Sequence, residues 1–168
     1  MKTLVIDAPA KINLCLHVLG RRLDGYHELA MAMQRIDLSD RIEISLEDGQ
    51  GIEVHCEGLD LGDGENIAGR AARVFLKETH IQKRISIHVD KQIPVAAGLG
   101  GGSSDAAAVL SGLNRLCGKP VTLDRLMDLA AGLGADVPFF LFEHPAWATG
   151  IGTRLDALPP LPEVCYLL

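Results

Sequence analysis

The chain has 168 residues, of which 48% are hydrophobic and 23% charged, so it can bury the core of one domain and is not a disordered tail. Its formal net charge is −6 and only 4% of its residues are aromatic. Nucleic-acid binding is therefore disfavoured, because it needs a basic surface and usually aromatic platforms for base stacking. The four cysteines form no Cys-x-x-Cys pair, which predicts reduced thiols rather than a zinc site or a disulfide framework.

The first residues lack the apolar stretch of a signal peptide, and no apolar run is long enough to span a membrane. We therefore expect a soluble cytoplasmic protein without membrane partners, and the sequence leaves its oligomeric state open.

The first half of the chain is predicted to be rich in strands. Residues 4–7 and 11–19 are the first two, interrupted at Ala8-Pro9, and alternation places Lys11 and Asn13 on one face of the second. A loop over residues 20–27 contains an Asp24-Gly25 turn, and a strand follows over residues 29–37. Alternating residues in 42–46 and 52–56 then predict a hairpin around a turn at residues 48–49.

The second half is predicted to group its helices. Asn66 is expected to cap a helix that runs to about Thr79, and a strand covers residues 85–89. After a Gly-rich loop, helices are expected over 103–116, over 123–131 with Thr122 as cap, and in a short piece after residue 134. Residues 146–155 read as a hairpin or bulged strand, 159–162 as a stiff connector and 164–168 as a strand. This order predicts an α+β fold, a mostly antiparallel sheet with helices packed on one face.

The segment from Pro94 to Ser104 has a composition that indicates ligand binding. Its glycines allow close approach of the backbone to a ligand, and the helix that follows presents free N–H groups and the positive end of its dipole. Together they predict an anion cradle suited to phosphates. A flexible linker has a similar composition, but linkers are seldom joined without a break to a strongly amphipathic helix. The segment has neither the Gly-Lys-Ser/Thr ending of a Walker A loop nor a Rossmann fingerprint.

The segment resembles the second motif of the GHMP kinases, and three further segments extend the likeness over nearly the whole chain. The full set is Ala8-Pro9-Ala10-Lys11-Ile12-Asn13-Leu14, Arg22-Leu23-Asp24-Gly25-Tyr26-His27, Gly98-Leu99-Gly100-Gly101-Gly102-Ser103-Ser104 and Leu133-Gly134-Ala135-Asp136-Val137-Pro138. The Asp-Gly-Tyr-His and Gly-Ala-Asp-Val-Pro signatures are similar to those of the members that phosphorylate a hydroxyl of a diphosphocytidyl-linked methylerythritol in the non-mevalonate isoprenoid route. The fold so implied is the ribosomal-protein-like α+β domain of this family.

The resemblance implies a role for each matched residue. Asp136 would be the general base, which the apolar residues around it would partly desolvate, and Lys11 would be the second catalytic residue. From the residues alone, Asp136 could equally be the N-cap of a short helix. Asn13, Tyr26 and His27 would bind the cytidyl substrate, and Ser104 would face Mg²⁺. ATP would be held by Asn66, Lys91, Pro94, Val95, Ala96, Ala97, Gly98, Leu99, Gly100, Gly101, Gly102, Ser103 and Ser104.

The family also bears on how the chain is organised. Residues 1–158 are expected to form the N-terminal ATP-binding and catalytic domain, and residues 159–168 the start of a C-terminal lobe that is cut short, so that the chain alone should be weakly active or inactive. Three alternatives stay open: a mevalonate- or homoserine-type GHMP kinase, a nucleotide-binding fragment without turnover, and an RNA-binding module of the same fold. With a net charge of −6, attraction for polyphosphate should come from Lys11, Lys91, Mg²⁺ and backbone N–H groups.

Overall fold

Two long antiparallel strands organise the sheet. In a computed structural model that describes residues 1–57, 66–162 and 164–167, β1 (Lys2–Arg21) pairs along its length with β2 (His27–Glu47). The sequence predicts a break at Ala8-Pro9 and a gap between residues 37 and 42, and both predictions are wrong. Pro9 is tolerated because the β1–β2 register shifts between Pro9 and Lys11 and because β1 pairs only with β2 among the described strands.

The other edge of β2 carries the remaining strands. Its C-terminal part pairs antiparallel with β4 (Arg84–Asp90), and its N-terminal part with β5 (Ala146–Gly150). β5 continues into β6 (Arg154–Ala157) as an antiparallel hairpin, which confirms the hairpin predicted over residues 146–155. The strand order is β3-β4-β2-β5-β6, with β1 on the free side of β2.

The hairpin predicted between residues 42–46 and 52–56 is wrong. β3 (Gly51–Glu57) pairs in parallel with β4, which lies between β3 and β2. Parallel neighbours need a crossover, and helix α1 (Ile67–Thr79) supplies it. The apolar side chains of β4, which are Ile85, Ile87 and Val89, are all fully buried, and this explains why β4 rather than β3 takes the inner position.

Among the described residues, four helices form the second layer, and their caps confirm two predictions. Asn66 Oδ1 accepts the Ala68 N–H at 2.8 Å at the start of α1, and the Thr122 hydroxyl accepts the Arg125 N–H at 3.4 Å at the start of α3 (Leu123–Leu133). α2 (Gly101–Leu116) begins two residues earlier than predicted, and the short α4 (Val137–Phe142) follows the turn after α3.

The helices cover one face of the sheet. Ile42, Ile44 and Leu46 of β2 are buried beneath α2, whereas the intervening Glu43 is exposed on the other face. α1 contacts β3 and β4, α2 contacts β1 and β2, and α3 and α4 pack against α2. The predicted α+β class, with a mostly antiparallel sheet and helices on one face, is thus confirmed.

The remaining sequence-based predictions concern residues 164–168, the domain boundary, membrane spans and the location of the protein. Residues 164–167 are irregular rather than the predicted strand, and Leu168 lies outside the described residues; the domain boundary at residue 158 stays a prediction. Within the described part of the chain, no helix is long and apolar enough to cross a membrane. The cytoplasmic location stays a prediction.

A close helix–sheet contact at Gly112 predicts a stability effect. A Cβ atom at Gly112 of α2 would lie 2.6 Å from Ile44 Cδ1 and 2.7 Å from Ile6 Cδ1. We expect Gly112→Ala to lower the free energy of unfolding by about 1–3 kcal/mol through overpacking. The matched control is Gly132→Ala in α3, where a Cβ meets nothing within 4 Å; it should leave stability unchanged or raise it by up to about 1 kcal/mol. Equal urea midpoints for the two variants would contradict this packing.

Candidate active site

The Gly-rich loop folds as the cradle that its composition predicts. Ala96, Gly98 and Gly100 have φ values of 58°, 76° and 73°, so alternate residues are left-handed, as in backbone nests that bind anions. Gly100 is the N-cap of α2 and contributes no side-chain cap. Ser104 N donates to Gly100 O at 2.9 Å, and the amides that precede it in α2 have no partner within the helix. They are the donors that an anion would meet.

A cleft of about 400 Å³ lies over this loop. Its lining contains Asn66, Lys91, the loop residues from Pro94 to Gly102, and Ser103. The structure therefore brings together the residues predicted to bind ATP, with the exception of Ser104. Cys56, Ile67 and Asp105 also line the cleft and were not predicted.

Lys11 is buried beside the loop. Its backbone N–H donates to Leu99 O at 2.9 Å, and its side chain is only 7% exposed. The register shift between Pro9 and Lys11 is the kind of bulge that re-aims a side chain near a functional site. A Cβ atom on Gly100 would lie 3.1 Å from Lys11 Cγ and 3.0 Å from Phe140 Cζ, so a side chain here would crowd both neighbours and would be strained at this φ.

Lys11 and Asp136, the two residues predicted to be catalytic, form an ion pair, and their catalytic role stays a prediction. Lys11 Nζ lies 3.7 Å from Asp136 Oδ2 and 3.5 Å from Asn13 Oδ1. Asp136 occupies the N-cap position of α4, but its side chain makes no capping hydrogen bond, so the capping alternative does not describe it. The Asp136 side chain is 32% exposed and is therefore open to a ligand.

Arg35 fixes the helix that carries Asp136. It lies opposite Lys11 in the β1–β2 register, and its Nη2 donates to the carbonyl oxygens of Phe139 and Phe140 at 3.2 and 2.6 Å. Carbonyls at the C-terminal end of a short helix lack helical partners, and a cation is favoured there. Sequence reasoning missed Arg35, whose partners lie more than 100 residues away in the chain.

Lys91 lines the cleft, but its charge is already neutralised. Its ammonium group donates to Asp40 Oδ2 and, at 2.9 Å, to Asp105 Oδ2. Burial lowers the pKa of Lys91, but the hydrogen bonds and charges of the two carboxylates outweigh it and hold this pKa above its usual value. Lys91 therefore adds no net positive charge to the cleft, contrary to the expectation that it attracts polyphosphate.

The two serines at the start of α2 lie in different places. Ser103 lines the cleft, whereas Ser104 lines a separate cavity of about 170 Å³ near β1 and α4, with its buried Oγ unpaired among the described residues. This placement does not favour the magnesium role predicted for Ser104, which stays a prediction. Within residues 1–57, 66–162 and 164–167, no group of three or more Asp, Glu, His or Cys side chains could hold a metal ion.

Tyr26 and His27 lie away from the ion pair. They close the β1–β2 turn, where Tyr26 N donates to Asp24 Oδ1 at 3.1 Å and His27 pairs with Arg21. Both side chains are exposed. No described contact joins them to Lys11 or Asp136, so the predicted binding of a cytidyl group at this turn stays a prediction.

Chemically, the arrangement suits phosphoryl transfer. An anion cradle beside a carboxylate and an ammonium group can hold a polyphosphate, accept a proton from a hydroxyl group and stabilise negative charge on the transferred group.

Comparison with known proteins agrees with this geometry. Residues 66–144 match the family described as GHMP kinases N terminal domain. The 4-diphosphocytidyl-2-C-methyl-D-erythritol kinase of Syntrophotalea carbinolica is 57% identical over 96% of the chain and 58% of its own length. A crystal structure of 4-(cytidine 5'-diphospho)-2C-methyl-D-erythritol kinase matches with a TM-score of 0.77 and 43% identity, over 92% of this chain and 55% of that one.

A more distant likeness confirms the fold alone. The homoserine kinase of Cytophaga hutchinsonii matches with a TM-score of 0.70 at 18% identity, over 94% of this chain and 52% of that one. Over its whole length the chain is similar to members of the GHMP kinase family. Within that family its sequence is similar to the 4-diphosphocytidyl-2-C-methyl-D-erythritol kinases, and it spans about 60% of the length of the curated relatives that it matches.

The buried carboxylate beside Lys91 predicts a pH effect on stability. Burial raises the pKa of Asp105 to about 7, although Lys91 opposes this; the unfolded value is about 3.9. The folded state thus holds this proton more tightly, so the contribution to stability is complete below pH 4 and is lost as the pH rises to 7.

Asp105→Asn should remove that loss. As the pH rises from 4 to 7, the free energy of unfolding of Asp105→Asn should increase relative to that of the wild type by a few kcal/mol, since one pKa unit corresponds to about 1.4 kcal/mol. Urea unfolding at several pH values measures the difference, and the exposed Asp156→Asn serves as control. Parallel pH curves for wild type and Asp105→Asn would contradict the assignment.

Proposed function

We propose that the chain is the ATP-binding and catalytic part of a kinase that transfers the γ-phosphoryl group of ATP to a hydroxyl group of 4-diphosphocytidyl-2-C-methyl-D-erythritol, in non-mevalonate isoprenoid biosynthesis. The observation that carries the proposal is the Lys11–Asp136 ion pair, whose charged groups lie 3.7 Å apart. The pair lies beside the Gly-rich cradle and the N-terminus of α2, where the first backbone N–H groups have no partner within the helix. The relatives' names support the choice of acceptor.

Asp136 is the proton acceptor in this proposal. As the acceptor oxygen bonds to the γ-phosphorus and the bond from phosphorus to the leaving ADP oxygen breaks, the hydroxyl proton passes to the Asp136 carboxylate. Lys11 places its charge where negative charge develops and keeps the carboxylate oriented. Asn13, whose Oδ1 lies 3.5 Å from Lys11 Nζ, orients the lysine and the acceptor.

The loop amides and the start of α2 hold the phosphates, and the Asn66 end of the cleft takes the nucleoside. A Mg²⁺ ion fits this site if phosphate oxygens and water supply most of its ligands, because Mg²⁺ needs few protein groups in such sites. A serine hydroxyl at the start of α2 would be the protein's contribution: Ser104, with its unpaired Oγ, by the family motif, or Ser103, which lines the cleft. The ion would neutralise charge on the transferred group.

The test is acceptor-dependent phosphorylation. The chain is incubated with MgATP and 4-diphosphocytidyl-2-C-methyl-D-erythritol for long enough to detect slow turnover, and the phosphorylated product is measured by mass spectrometry. We expect Asp136→Asn to lower the rate by at least about 100-fold, the contribution of a general base, and to leave the dissociation constant for ATP within about threefold. The exposed Asp124→Asn is the matched control and should behave as wild type.

Three results would count against the proposal. ATP hydrolysis that is equal with and without the acceptor would indicate nucleotide binding without this transfer. Faster transfer to mevalonate or homoserine would indicate another GHMP kinase. Full turnover by Asp136→Asn would remove the general base.

A further inference from the structure

We propose that Asp40 is a positioning residue that sets the shape of the nucleotide-binding loop by tying both ends of the loop to the sheet. The inference rests on the proposed function for the identity of the ligand, but not for the anchoring itself. Asp40 lies on β2, is completely buried, and does not line the cleft, so it can act on a ligand only through other residues.

The first end of the loop is held by one carboxylate oxygen. Asp40 Oδ1 accepts the backbone N–H groups of Gln92 and Ile93, at 2.6 and 2.8 Å. These amides lie just before Pro94, where the loop leaves the sheet. A carboxylate that accepts two backbone N–H groups makes strong, directional hydrogen bonds, so the departure point of the loop is fixed relative to β2.

The second end is held through Lys91. Asp40 Oδ2 accepts a hydrogen bond from the Lys91 ammonium group, which also donates to Asp105 Oδ2 at 2.9 Å. Asp105 lies near the start of α2 and is 4% exposed. The chain of contacts from Asp40 through Lys91 to Asp105 therefore connects β2 to the helix that begins where the loop ends.

The anchors lie directly beneath the phosphate cradle. A Cβ atom at Gly101 would lie 3.1 Å from Lys91 Nζ and 3.1 Å from Ile93 Cγ2. Lys91 and Ile93, which Asp40 holds, thus pack directly against Gly101, the first residue of α2. A shift of Ile93 or Lys91 would move Gly101 and, with it, the amides that face an anion.

The composition of the cluster argues for positioning rather than for stability. Two carboxyl groups share one ammonium group in a buried place next to a site for an anion. Buried ion clusters are weak contributors to stability and can often be replaced by apolar groups. What apolar groups cannot do is hold two backbone N–H groups and a lysine in one geometry.

The experiment compares two variants of Asp40 with one control. Asp40→Ala removes both anchors, whereas Asp40→Asn keeps an oxygen for the Gln92 and Ile93 amides. Asn114→Ala is the matched control: Asn114 is also buried, and its Oδ1 accepts the backbone N–H of Val121 at 3.0 Å in the loop between α2 and α3. Calorimetry measures the dissociation constant for ATP, and hydrogen exchange measures the amides of residues 92–103.

We expect Asp40→Ala to weaken ATP binding and to speed exchange of the Gln92 and Ile93 amides, each by at least about tenfold, because buried donors lose their acceptor. Asp40→Asn keeps the first anchor but turns an amide donor toward the Lys91 ammonium group. It should restore exchange of the Gln92 and Ile93 amides to within about threefold of wild type and should recover ATP binding only in part. Asn114→Ala should speed exchange at Val121 and leave ATP binding and the 92–103 amides unchanged.

The outcomes separate the inference from the proposed function. If Asp40→Ala binds ATP as tightly as Asn114→Ala does, the inference is wrong. If Asp40→Ala does not fold, two results overturn the inference. One is rapid exchange of the Gln92 and Ile93 amides in the wild type. The other is exchange of these amides in Asp40→Asn that is at least about tenfold faster than in the wild type. If the wild type binds no ATP while exchange responds to Asp40→Ala as expected, the anchoring stands and the proposed function fails.

Discussion

The site depends on the absence of a side chain at Gly100. This residue lies in the left-handed region, with φ of 73°, and is wedged between the Lys11 side chain and the Phe140 ring, both of which a Cβ atom would approach to about 3 Å. It joins three distant parts of the chain at one point: the Gly-rich loop, strand β1 and helix α4. With a larger residue at this position, the Lys11 and Phe140 side chains or the loop backbone would have to shift.

The remaining contacts converge on the same point. The β1–β2 register sets Lys11 opposite Arg35, and Arg35 holds the carbonyls of α4, whose first position carries Asp136. Because Lys91 is neutralised by two carboxylates and Lys11 is paired with Asp136, the positive potential for a polyphosphate comes mainly from backbone amides. This is how a chain with a net charge of −6 can offer an anion site: the charge is local and is built largely from the backbone.

Much of this arrangement could be predicted because it follows from local patterns. The Gly-rich loop and the Asn66 cap are carried by short motifs, whereas the pairing of Lys11 with Asp136 was implied by the resemblance to the GHMP kinases. Strand pairing was harder to predict. The break at Ala8-Pro9 was wrong because a register shift accommodates Pro9 on β1. The 42–56 hairpin was wrong because β3 pairs with β4, which comes later in the chain, after α1. Asp40 was not predicted, although the sequence contains a signal for it. Asp40 and the buried Ile42 are two residues apart on one strand, so both face the core. A charge at a core-facing position needs a partner, and only the structure shows which one.

The central claim is that the close contact of Gly100 with Lys11 and Phe140 creates the phosphate site, and the ATP affinity of two alanine variants tests it most directly. Gly100→Ala is compared with Gly118→Ala, which has a similar φ of 82° but no atom within 4 Å of its Cβ position. Both variants carry the strain of alanine in the left-handed region. We expect Gly118→Ala to bind ATP within about twofold of wild type and Gly100→Ala to bind at least about tenfold more weakly, a loss of about 1.4 kcal/mol or more. Equal affinity of the two variants for ATP would contradict the account.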